Sequence, residues 1–162
     1  LRNMYYKDNI EEKDRIVTGF GVSLSGIWQF AENTSLCFQG VYGKGISNYI
    51  QDISGSGLDL VPCATAEGKL KAIRAWGGYI GFSHNWCKAL TSNIMYSYAR
   101  VLDRYGMPAT SYKYAQYAAA NLFWDFSEYG SCAIEYVFGR RNDFNKDYGN
   151  ASRINTMIQY RF

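Results

Sequence analysis

The sequence predicts an all-β protein, an antiparallel transmembrane β-barrel of about eight meandering strands. Three observations carry this. Apolar and polar residues alternate with period two along nearly the whole chain. The connections alternate between short turns and longer polar links. Aromatic residues make up 17% of the chain and gather at strand ends beside the short turns.

Composition narrows the class from the other side. At 162 residues the chain is read as a single domain, 1–162, with no internal boundary. Its 15 Tyr, 9 Phe and 4 Trp, against 19% charged residues, exclude a disordered chain. No run approaches the ~20 apolar residues of a spanning helix. A net charge of +3 without a dense Lys/Arg patch excludes a nucleic-acid partner. A single His removes most metal and triad chemistry. Cys37, Cys63, Cys87 and Cys132 show no metal spacing, and their three possible pairings stay open. Metal and cofactor are both expected to be absent. Leu1 opens directly into a strand with no basic-then-apolar leader, so the chain is read as processed or as a piece of a longer protein.

The strands follow in order. Leu1 to Tyr6 is a short first strand. From Ile16 to Phe30, the even positions Ile16, Phe20, Val22, Leu24, Trp28 and Phe30 are apolar, while Gly19, Gly21, Ser23, Ser25 and Gln29 are small or polar. Side chains alternate faces along a strand, so one side is greasy and the other wet. Leu36–Gly43, Trp76–Trp86, Leu90–Ala99, Tyr117–Phe126 and Ala133–Arg141 repeat this. The last strand sets Ile154, Ile158, Tyr160 and Phe162 against Arg153, Asn155, Gln159 and Arg161. Two arginines, an Asn and a Gln on one side do not suit a dry core. Short turns are expected at 31–35, 87–89 and 127–131, and longer links at 7–15, 47–70, 102–111 and 142–150.

A sheet crosses lipid only if its backbone groups are paired, which favours closure. The aromatic girdle is assigned to Trp28, Phe30, Trp86, Trp124, Phe126 and Tyr160. The rival is a soluble barrel with these rings inside. It does not account for a chain ending Tyr160-Arg161-Phe162, where Tyr160 and Phe162 resemble the signal that outer-membrane barrel assembly machinery reads on final strands.

The final third carries a family resemblance. Asn121-Leu122-Phe123-Trp124, Ile134 through Arg141, Asp147 through Arg153 and the closing strand resemble the DcaP-like trimeric outer-membrane porins. Thr18 through Gly26, Gly43 through Ile46, Trp76 through Phe82 and Trp86 through Tyr98 are also similar to that family. The resemblance implies a homotrimeric diffusion channel in the bacterial outer membrane for small, often anionic, solutes. Its surroundings would be outer-membrane lipids and lipopolysaccharide. Family members have about sixteen strands and a coiled-coil segment, so this chain is expected to be the C-terminal half of such a barrel. The alternative is a complete eight-stranded barrel with a narrow filled interior and a structural or surface-binding role.

Pores select by lumen charge and width. Alternation turns Glu135, Arg141, Arg153 and Arg161 inward, and Lys71 inward on the Trp76 strand. These are the pore-lining candidates, a basic stripe attractive to anions. Glu135 alone has a second reading, cross-strand pairing with an arginine. The longest loop, 47–70, is the constriction candidate by the resemblance, with Asp52, Asp59 and Glu67 near the path. A mobile surface loop is the alternative. Enzymatic activity is not expected, because His84 falls on the lipid-facing row with no positioned nucleophile beside it.

Overall fold

The computed structural model describes all 162 residues. The chain forms β1 (Arg2–Asp8), β2 (Lys13–Ala31), β3 (Thr34–Lys44), β4 (Leu60–Pro62), β5 (Leu70–Ala72), β6 (Arg74–Cys87), β7 (Leu90–Val101), β8 (Tyr112–Asp125), β9 (Gly130–Asp143) and β10 (Tyr148–Tyr160). Eight of these make one antiparallel sheet in the order β1-β2-β3-β6-β7-β8-β9-β10. β4 and β5 form a separate small hairpin. The sheet is a pure meander, the topology that short hairpin links favour. It is not closed. β1 covers only Lys13–Gly19 of β2, and β10 pairs on one side alone.

The two faces differ as the alternation requires. One row of partners runs Trp28, Leu36, Phe82, Ile94, Ala120, Tyr136, Ile154 across seven strands. All but the half-buried Leu36 stand exposed; Ile154 keeps 68% of its surface. The adjacent row runs Gln29, Ser35, Ser83, Asn93, Asn121, Glu135, Asn155. Such a contrast, apolar outside and polar within, reverses a soluble barrel.

Two of the expected long links are tight. Asp8 ends β1 and is nearly fully buried. Its carboxylate accepts the Ile10 and Glu11 backbone N–H groups and the Arg15 Nε at 2.7 Å, closing the hairpin into β2. The link at 142–150 shrinks to the turn 144–147, because Asp147 N–H donates to Asn145 Oδ1 and Lys146 takes φ +75°. Polar strand ends therefore pair beyond the apolar band instead of fraying. At the opposite edge the turns are short, with bulges at Gln29/Ala31 and Asn85/Cys87.

The segment 45–73 is not a structureless loop. It carries the 3-10 turns η1 (Ser47–Tyr49) and η2 (Gln51–Ile53) and the β4–β5 hairpin. Ile46, Ile50, Ile53, Leu58, Val61 and Ile73 are buried together with Ala75, Ala99 and Val101 of the strands. Ala75 and Ala99 stand on the polar-row face, so the segment folds over that side and builds the main apolar core there. Two glycines make the seat. A Cβ at Gly77 would sit 2.9 Å from Ile50 Cγ2, and one at Gly21 would sit 3.0 Å from Ile46 Cγ2.

At the rim the loop 102–111 is pinned by Asp103. Its carboxylate accepts the Arg74 backbone N–H at 2.9 Å and the Arg74 Nη2 at 2.6 Å. The Arg74 hydrogen bond holds the Asp103 carboxyl below its ordinary range, against the opposing effect of burial.

Truncating Ile53→Ala, at a fully buried site, is expected to cost about 2–5 kcal/mol of local stability. Limited proteolysis should then cut between 47 and 70 faster than in wild type, with the strands still protected. A lowered carboxyl pKa stabilises the fold above the usual carboxylate value of about 3.9 and loses that contribution as pH falls through the folded value. Wild type should therefore exceed Asp103→Asn in unfolding midpoint at neutral pH. The gap should close below about pH 4.

Candidate functional site: the inner face of the sheet

The inner face is the polar-row side over which 45–73 folds. Its central feature is a ladder of side-chain hydrogen bonds across four strands. Asn93 Nδ2 on β7 donates to Asn121 Oδ1 on β8 at 2.7 Å. Asn121 Nδ2 donates to Glu135 Oε2 on β9 at 3.4 Å, and Asn155 Nδ2 on β10 donates to Glu135 Oε1 at 2.8 Å. All four residues are direct cross-strand partners, the spacing at which side chains on one face meet. Both flanking amide donors run toward the Glu135 carboxylate. Glu135 is thus held by amides and makes no ion pair with an arginine. The sequence placed Asn93, Asn121 and Asn155 on this face by parity, but parity does not set register, and the ladder is a product of register.

The inner arginines lie at three levels. Arg161 follows β10 at the short-turn end, its backbone N–H donating to Tyr129 O at 2.8 Å. Arg153 stands opposite Val137, two residues above the Glu135–Asn155 pair, and is exposed without an ionic partner. Arg141 lies higher, opposite Gly149, with its Nε on Asp143 Oδ1 at 2.9 Å. Lys71 departs from its expected place. It lies on β5, in the hairpin of the covering segment and not on the Trp76 strand. The chain breaks strand pairing at Ile73, whose side chain enters the core, and Lys71 instead sets its ammonium 4.9 Å from the Tyr105 ring centre.

The acidic loop residues part company. Asp52 Oδ2 accepts the Tyr112 hydroxyl at 2.6 Å, tying η2 to β8. Asp59 Oδ2 meets Arg2 Nη1 at 2.6 Å, and its Oδ1 accepts the Ser47 hydroxyl at 2.7 Å. Asp59 therefore braces the loop against β1. Glu67 is exposed and makes no salt bridge.

The outer face carries two aromatic rows. Near the short turns, Trp28 packs on Phe30 at 5.8 Å, Trp124 on Phe126 at 6.0 Å, and Tyr160 on Tyr129 at 6.4 Å between centroids. His84 sits here between Phe82 and Trp86, its Nδ1 2.8 Å from Thr34 Oγ1. Phe162 is fully exposed past the end of β10. The second row, at the other end, is a stack of Trp76, Tyr98 and Tyr114 at 4.9 and 5.6 Å. The sequence reading missed it because Tyr98 and Tyr114 align with Trp76 only once register is known. Trp76 and Trp86 are about 33 Å apart along β6 at ~3.3 Å per residue. A tilt of about 40° projects this to about 25 Å, the height of a lipid-facing apolar band. Polar residues share the level of this second row: Arg100 lies opposite Trp76 and Tyr114, Asn142 lies opposite Tyr114, and Arg140 falls in the row of Tyr98 and Gln116. The Arg140 guanidinium lies 4.4 Å from the Tyr148 ring centre. None of the four cysteines is bonded to another.

No protein-family model matches the sequence, and no curated protein does. The fold does have a counterpart. The chain is similar to the outer membrane channel DcaP of Acinetobacter baumannii, with a TM-score of 0.77 and 18% sequence identity. The match covers 99% of this chain and 45% of that one, so the chain spans less than half the length of the channel it resembles. The family resembled by the sequence and the channel matched in fold thus agree, and the fold is what the match shows.

Proposed function

We propose that this chain is a section of the wall of an outer-membrane channel for passive diffusion of small, anionic, hydrophilic solutes. One observation carries the reading: Arg141 and Arg153 stand on the hydrogen-bonding inner face of a sheet whose other face is apolar between two aromatic rows, and alternation assigns Arg161, just past β10, to the same side. Lumen charge selects permeant ions, and the two carboxylates on this side, Glu135 and the Asp143 that pairs with Arg141, offset only part of this positive stripe.

The open edges support a wall larger than these strands. The Phe20–Ala31 side of β2 and the outer side of β10 present unpaired N–H and C=O groups. Each such group costs several kcal/mol in hydrocarbon, so further strands must complete the sheet. That favours a barrel of about sixteen strands over a self-closed one of eight. Assembly as a homotrimer follows the resemblance. Outward Arg100 and Arg140, level with the upper aromatic row, suit contact with lipopolysaccharide phosphates. No step of this function is enzymatic.

Bilayer recordings under a salt gradient test it. Arg153→Ala and Arg141→Ala should each move the reversal potential toward cation preference. Unchanged potentials in both variants would sink the anionic reading. Charge reversal of the belt at Glu135→Lys should move it the opposite way.

A further inference from the structure

The covering segment leaves a cavity on the inner face of about 300 Å³. It opens between η2, the start of β8 and the upper part of β9. Leu58, Ala115 and the Tyr112 ring give it an apolar floor, and Ser56 and Ser111 lie at its sides. Asp52 and Arg141 both line it. These two residues are far apart in sequence, and only the folding of the segment onto β8 and β9 brings them to one space.

Both keep hydrogen-bonding capacity unused at its wall. Tyr112 donates to Asp52 Oδ2, which leaves Oδ1 without a partner. Asp143 occupies the Nε of Arg141, and the guanidinium lies 5.5 Å from the Tyr112 ring centre with its terminal nitrogens unbonded. No ion pair joins Asp52 to Arg141. A carboxylate and a guanidinium therefore share a small, partly apolar space without neutralising each other.

Resting on the channel reading above, we propose that this cavity is a subsite for a small zwitterion, such as an amino acid. The anionic group sits on Arg141, the ammonium on Asp52, and the aliphatic part on Leu58 and the Tyr112 ring. A simple anion meets repulsion from Asp52, and a simple cation meets repulsion from Arg141. A solute carrying both charges answers both walls. The volume is at the small end for ligand sites, about 300–1,000 Å³, which limits the solute to a few carbons.

The test compares uptake of γ-aminobutyrate, succinate and putrescine, matched in carbon number, into vesicles holding the purified channel. Asp52→Asn keeps an acceptor for Tyr112 and removes only the charge. It should lower the γ-aminobutyrate-to-succinate ratio about fivefold, the size of one exposed charge contact. Arg141→Gln, at an exposed position, should lower the γ-aminobutyrate-to-putrescine ratio similarly. Ratios equal to wild type in both variants would overturn the subsite and leave the channel reading standing. Wild-type vesicles that admit none of the three solutes would overturn both.

Discussion

In the proposed channel wall every backbone N–H and C=O that faces hydrocarbon must find a partner inside the protein, and pairing of the backbone is the constraint on which the rest of this structure depends. The long antiparallel strands meet it along their lengths: of 102 backbone hydrogen bonds, 80 lie within regular elements. A meander achieves this with the least chain, since each strand pairs with its neighbour in sequence. The same requirement gives the unpaired sides of β2 and β10 their meaning, because a free edge is tolerable in water and costly in lipid.

Once backbone pairing is met, side chains are free to serve two solvents. The outer face leaves its large apolar side chains uncovered, among them Leu24, Ile80, Ile94, Ile154 and Ile158. Its apolar surface is what the proposed channel wall would turn to lipid. The inner face spends its polar groups on one another. Asn93, Asn121, Glu135 and Asn155 form a ladder that also locks four strands in register, because a slip of one residue would turn each of them outward.

The apolar core is correspondingly displaced. It does not run through the sheet but sits under the segment 45–73 at one end of the inner face. Small residues on the strands, Gly21, Gly77, Ala75 and Ala99, leave room for Ile46, Ile50 and Ile53. Packing there turns a connection into a fixed part of the inner surface. It carries Asp52 to the level of Arg141, where the charges of loop and wall come to face one space.

Much of this was legible in the residues. Period-two alternation assigned the faces of Arg141, Arg153, Arg161 and Glu135, because a strand has only two sides and the apolar set identifies one. It also placed Trp28, Trp86 and Trp124 beside the short turns and His84 among them. Alternation failed where the chain leaves the sheet. Lys71 was given to the Trp76 strand, but a buried Ile73 separates the two, and periodicity cannot register such a break. The links at 7–15 and 142–150 read as loops because they are polar, although polar hairpins pair equally well in water. Register, the Asn ladder, the upper aromatic stack and the meeting of Asp52 with Arg141 were decided by tertiary structure alone. The reason is physical: local sequence dictates which way a side chain points, whereas what it meets depends on strand alignment and loop packing between residues distant along the chain.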